Sequence, residues 1–152
     1  MTNTIEVPFD IENVEIISTQ TNEVGQFLIT VKNTNESTCC HSCGKIATEL
    51  YGHADARMVR HTSCFELETS IRFYPKRYEC PHCGKTTTQQ LSGIEPRCHH
   101  TMAYENHVLL QLVNSTFSSI AIKENLTVVF VSGIIDRHIK SGINWDLHDK
   151  LE

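Results

Sequence analysis

Nothing at the start of the chain reads as a secretory leader, and the chain has no membrane-length apolar run and no excess of positive charge. Residues 1–10 carry neither a basic flank nor an apolar stretch, so they do not read as a signal peptide. The longest strongly apolar run, residues 128–131, is far too short to cross a bilayer. Seven cysteines without a secretory signal lead us to expect reduced thiols and a cytoplasmic protein. Lys and Arg number 13 against 18 Asp and Glu, and a net charge of −5 argues against a simple nucleic-acid binder. No set of acids has a context for two-metal chemistry; Asp136, Asp146 and Asp149 read as solvated helix-end or tail charges. What remains is 39% hydrophobic and 20% charged, the composition of a globular chain of one domain or two small ones.

Two short segments dominate what is present: Cys40-His41-Ser42-Cys43-Gly44 and Cys80-Pro81-His82-Cys83-Gly84. Each is a C-x-x-C followed by Gly and then Lys (Lys45, Lys85), so the two are near copies of one local structure. In such a turn backbone N–H groups point at the sulfurs, and Gly permits the tight approach. Four thiolates from two such turns make a closed tetrahedral site, and the expected occupant is one structural Zn2+ held by Cys40, Cys43, Cys80 and Cys83. Iron in the same cage is the chemical alternative. Cys39 offers a second usable spacing to Cys43, in place of Cys40. Cys39, Cys64 and Cys98 otherwise read as small buried apolar side chains. An open catalytic metal site made of Cys98, His99 and His100 is disfavoured, because adjacent donors rarely converge on one ion.

Hydrophobic periodicity divides the chain into four: a β-hairpin over 1–38, a metal-binding β unit over 39–97, a helix-turn-helix over 98–143 and a tail over 144–152. The hairpin strands are 13–19 and 26–32, with the polar residues 21–25 as the reversal. Between the metal turns, Phe65, Leu67, Thr69, Ile71 and Phe73 alternate with polar residues, which predicts one half-buried strand running towards Cys80. Residues 86–90 are expected to pair back as a closing strand, and 93–97 to form a hinge. Beyond it the period becomes helical: Tyr104, Val108 and Leu112 follow a Thr101 N-cap, and a second short helix carries Ile120, Ala121 and Lys123. Asn125 suits a left-handed turn position, and Thr127 caps a third helix with Val131, Ile134 and Ile135 inward. The expected fold class is therefore α+β: a small hairpin and a zinc-ribbon-like β unit, then a three-helix helix-turn-helix bundle.

At this point the chain resembles the N-terminal part of insertion-sequence transposases of the ISL-three group. The matching residues are Cys40-His41-Ser42-Cys43-Gly44, Arg57-Met58-Val59-Arg60-His61, Arg77-Tyr78-Glu79-Cys80-Pro81-His82-Cys83-Gly84-Lys85-Thr86, Glu95-Pro96 and the helices over 101–140. The resemblance implies double-stranded DNA as partner, recognition of terminal inverted repeats, and nucleoid association when bound. That family also carries an RNase H-like catalytic domain; residues after Trp145 leave no room for one, so a DNA-binding portion without enzymatic activity is expected. Only the middle of the chain is locally basic: residues 39–98 hold eight bases and six acids, whereas 1–38 and 99–152 are net acidic. Arg57, Arg60, Arg72, Lys76, Arg77 and Lys85 are the expected phosphate contacts, with Arg137 and Lys140 second. The competing expectation is a zinc-stabilised protein-interaction module, a homodimer among its forms.

Overall fold

The computed structural model describes residues 9–142, with side chains described as far as Ile139. The backbone falls into two compact units, Met1–Tyr104 and Glu105–Glu152. The tail over 144–152, with Asp146 and Asp149, lies outside the described residues, as does the side chain of Lys140.

The first unit is made of strands in three sheets. β1 (Val14–Thr21) and β2 (Phe27–Asn33) form the expected antiparallel hairpin. Its turn is held by Asn22, whose side-chain oxygen accepts from the Val24 and Gln26 N–H groups at 3.1 and 2.8 Å. The hairpin does not stand alone. β2 pairs in parallel with β7 (Leu67–Phe73), and β7 pairs antiparallel with β6 (Arg57–Cys64), giving one four-stranded sheet in the order β1-β2-β7-β6.

This overturns the expected division into a simple hairpin, a separate ribbon-like unit and a helical bundle. The physical reason lies in the apolar faces. A lone two-stranded hairpin is marginal in water, and Ile29 and Val31 on β2 need cover. Side by side with Val59, Ile71 and Phe73 they form one buried surface, closed by Ile11, Leu91 and Ile94. The chain therefore crosses from hairpin to metal turn and back into the same sheet.

Two smaller sheets carry the cysteine turns. β3 (Thr38–Cys39) pairs with β4 (Ile46–Ala47) across the first turn. β8 (Lys76–Glu79) pairs with β9 (Thr86–Thr88) across the second, and with β5 (Glu49–His53) on its other side. The half-buried strand is shorter than its alternation suggests. Thr69, Ile71 and Phe73 are buried, but Phe65 is 86% exposed and sits with Glu66 in the β6–β7 turn at φ of 50° and 64°. The period-2 pattern simply runs on through the turn.

Helix α1 (Met102–Gln111) begins at the end of the first unit and runs into the second. Thr101 caps it, its hydroxyl accepting from the Tyr104 N–H at 3.2 Å. In the second unit a short 3₁₀ turn leads to α2 (Phe117–Glu124) and α3 (Val128–Gly142). Thr116 caps α2 by accepting from the Ser119 N–H at 3.2 Å. Asn125 ends it in the left-handed region at φ 53°, and Thr127 caps α3 by accepting from the Phe130 N–H at 3.2 Å. The axes of α2 and α3 meet at 114° across this three-residue turn of Asn125, Leu126 and Thr127. Val108, Ile120, Val131 and Ile134 are buried, so each helix commits its apolar stripe. Among the described residues no single helix is long and apolar enough to cross a membrane.

Candidate metal centre

The two cysteine turns fold alike because their sequences are alike. The Cys40 N–H donates to the Lys45 carbonyl at 2.8 Å, and the Gly44 N–H to the Cys40 carbonyl at 2.9 Å. In the second turn the Cys80 N–H donates to Lys85 at 3.0 Å and the Gly84 N–H to Cys80 at 2.9 Å. Gly44 and Gly84 both sit in the left-handed region, at φ of 72° and 70°, which L side chains adopt only with strain.

These turns bring four sulfurs together. Cys40 Sγ lies 3.5 Å from Cys83 Sγ, and Cys43 Sγ 3.5 Å from Cys80 Sγ. All four sulfurs lie within 4.8 Å of one another. A tetrahedral ion with sulfur ligands at about 2.3 Å needs sulfurs about 3.8 Å apart, so the cage fits such an ion. Cys40 and Cys80 are buried with Ala47 and Tyr78, and Cys43 and Cys83 are exposed. The cage thus includes Cys40 rather than Cys39, which is exposed in β3 against the expectation of burial. Cys64 is half-buried and Cys98 buried.

Backbone N–H groups favour the thiolate at two of the four cysteines. N–H groups of Cys43 and Ser42 aimed at Cys40 lower its pKa to about 6. The Cys83 N–H lowers the pKa of Cys80 below the ordinary thiol value. At Cys43 the Lys45 N–H favours the thiolate, but the Cys80 sulfur and burial outweigh it and the pKa rises. At Cys83 the Lys85 N–H is likewise outweighed by the Cys40 sulfur and burial, and the pKa is pushed up to about 11. The cause is general: four thiolates crowd one small volume, so without a cation only some can ionise. A dication removes that conflict.

A polar clamp sets the two turns against each other. Thr87 on β9 meets the first turn, its hydroxyl 2.8 Å from His41 Nδ1 and accepting from the His41 N–H at 3.2 Å. The Gln89 amide donates to the carbonyls of Asn35 and Ser37 at 3.1 and 3.0 Å. The Lys76 ammonium donates to Asn33 and Asn35, and the Tyr78 hydroxyl to Asn35. Lys76, Tyr78 and Gln89 hold the segment leading into Cys40, and Thr87 holds the turn just after it. Thr87 and Gln89 carried no signal in the sequence beyond their place in the expected closing strand over 86–90.

The expected phosphate contacts are scattered by comparison. Arg57 donates to the Cys98 carbonyl at 2.8 Å and stacks over Phe73. Arg60 pairs with Glu68 at 3.7 Å and lies over the Tyr104 ring. Arg72 donates to the Thr30 hydroxyl at 3.1 Å, and Lys76 belongs to the clamp. Arg137 on α3 bonds the buried carboxylate of Glu105, which His138 also reaches at 2.7 Å. These five tie the structure internally. Arg77 and Lys85 are exposed, close in sequence to the second turn, and Lys45 occupies the matching exposed position in the first. The chain matches no protein family, no curated protein and no solved structure.

Proposed function

We propose that this chain is the DNA-binding portion of a transposase of the ISL-three kind, with one structural Zn2+ in the Cys40–Cys43–Cys80–Cys83 cage. The observation that carries the reading is the coupling, in one chain, of the paired knuckles to the α2–turn–α3 arrangement. Zinc is favoured because four sulfurs with no open position suit a closed structural site rather than a catalytic one. In the second unit, the 114° bend between α2 and α3, the three-residue turn and the left-handed Asn125 are what the DNA-binding reading draws on. Under this reading α3 enters the major groove with Val128, Val129, Ser132 and Gly133 foremost. None of these carries the Arg, Asn or Gln that pairs bidentately with bases, so shape and backbone dominate recognition.

Phosphate contact then falls chiefly to Lys45, Arg77 and Lys85 around the cage, because Arg57, Arg60, Arg72, Lys76 and Arg137 are engaged internally. Glu49 and Glu79 face each other on the neighbouring strands β5 and β8, which limits the local charge. Binding should accordingly be modest and fall steeply with salt, by about one counterion per neutralised phosphate. Fluorescence anisotropy on a duplex carrying the element's terminal repeat tests the proposal. Binding at low salt that weakens when Arg77 and Lys85 are both changed to Ala supports it. No binding to any duplex at low salt overturns it.

A second reading, a protein-interaction module, is favoured by one observation. Leu110, Val113, Ile122 and Val129 of the helical unit are each more than 70% exposed (74%, 75%, 82% and 81%). Exposed apolar side chains at this density mark docking surfaces as readily as they mark a groove reader.

A further inference from the structure

Phe65 is the most exposed large apolar side chain among the described residues, at 86%. It stands at the tip of the β6–β7 hairpin, where both turn residues, Phe65 and Glu66, have left-handed φ. Such two-residue turns favour Asn and Gly, and an ordinary L residue there costs about 1–2 kcal/mol. Solvent and backbone therefore both penalise a phenylalanine at this position. Glu66 is exposed beside it, whereas Glu68, in β7, is half-buried and paired with Arg60 at 3.7 Å. The tip is an apolar knob beside one exposed carboxylate.

The same unit contains a cavity of about 270 Å³ lined by Ile17, Val31 and Tyr74 together with Lys32, His53 and Lys76. Ile17 and Tyr74 are both more than half exposed there (59% and 51%). The Lys76 ammonium is fixed beside the cavity by the Asn33 and Asn35 carbonyls, while Lys32 and His53 are exposed. Glu15 stands opposite Lys32 in the β1–β2 ladder, and Lys76 is the second lysine at the cavity. An aromatic ring buries about 150–250 Å² when it docks, and an apolar cavity edged with lysines complements a phenyl ring beside a carboxylate.

We propose that the Phe65–Glu66 tip of one copy seats in the Ile17–Tyr74 cavity of a second copy, with Glu66 directed to Lys32. Because knob and cavity are on one chain, a two-fold dimer makes the contact twice. The proposal does not depend on DNA binding and is tested without DNA.

Sedimentation velocity on the full zinc-loaded chain over a dilution series should show a reversible dimer. Phe65→Asn keeps a residue that tolerates the left-handed turn, so the hairpin survives, and self-association should weaken by about thirtyfold. Glu66→Lys and Lys32→Glu should each weaken self-association through like-charge contact. Mixing the two variants should restore association, because both contacts in the mixed pair are then of opposite sign. No folding defect mimics that restoration. A wild-type chain that stays monomeric at every concentration, a Phe65→Asn variant that associates like wild type, or a mixture no tighter than its components would each overturn the proposal.

Discussion

The two kinds of sheet in the first unit are stabilised differently. The four-stranded sheet buries Ile29, Val31, Val59, Ile71 and Phe73 under Ile11, Leu91 and Ile94. The apolar cluster around the cysteine turns is small: Cys40, Ala47, Tyr78 and Cys80, half of them cysteines of the cage. So few apolar groups cannot offset the entropy of ordering their strands. The lesson is a division of labour: apolar burial holds the first sheet, whereas the second relies on a polar clamp and, under the proposed function, on an ion in the four-cysteine cage.

The sharpest break of this comparison is Cys80→Ser. It should abolish metal binding and melt the β3–β5, β8 and β9 region, while amides of β2, β6 and β7 keep protection in hydrogen exchange. Ile71→Ala acts on the other side. It should lower stability in urea by about 2–5 kcal/mol, since Ile71 is fully buried, and leave the metal content unchanged. Gln89→Ala removes two donors from the clamp and should cost about 1–3 kcal/mol, with faster exchange confined to the segment around Asn35.

A smaller effect is set by pH. Burial lowers the His61 pKa, and Asp10 at 3.3 Å only partly counters it. The folded imidazole, bonded to Thr101 and edge-on to Phe9, therefore resists the proton that the unfolded chain accepts. Stability is full above about pH 6.5 and declines as pH falls through the folded value. Urea titrations between neutral and mildly acidic pH should show this slope, and His61→Gln should flatten it. Cys64→Ser, at a half-buried position outside the cage, should change stability by less than about 0.5 kcal/mol.

Legibility in the sequence followed the range of the interactions. The cysteine turns are local patterns, and the clustering of Cys43, Cys80 and Cys83 was legible from spacing, while the choice of Cys40 over Cys39 needed the fold. The caps at Thr101 and Thr127 and the left-handed Asn125 were legible for the same reason. The parallel pairing of β2 with β7 was not. It joins strands far apart in the chain, and nothing in either strand's alternation names its partner. Phe65 misled because it kept the phase of its strand while its backbone turned away. The bases misled because charge does not reveal direction: Arg57, Arg60 and Arg72 bond inward from a sheet whose pattern suggested an outward face.

The central claim is that one ion in the four-cysteine cage holds the second β region together. Metal analysis combined with thiol titration tests it most directly on the seven-cysteine chain. We predict one zinc per chain, with four thiols protected until a chelator removes the metal and then released together as the β3–β5, β8 and β9 region unfolds. Much less than one metal ion per chain, or four cage thiols that react without a chelator while that region stays folded, would contradict the account.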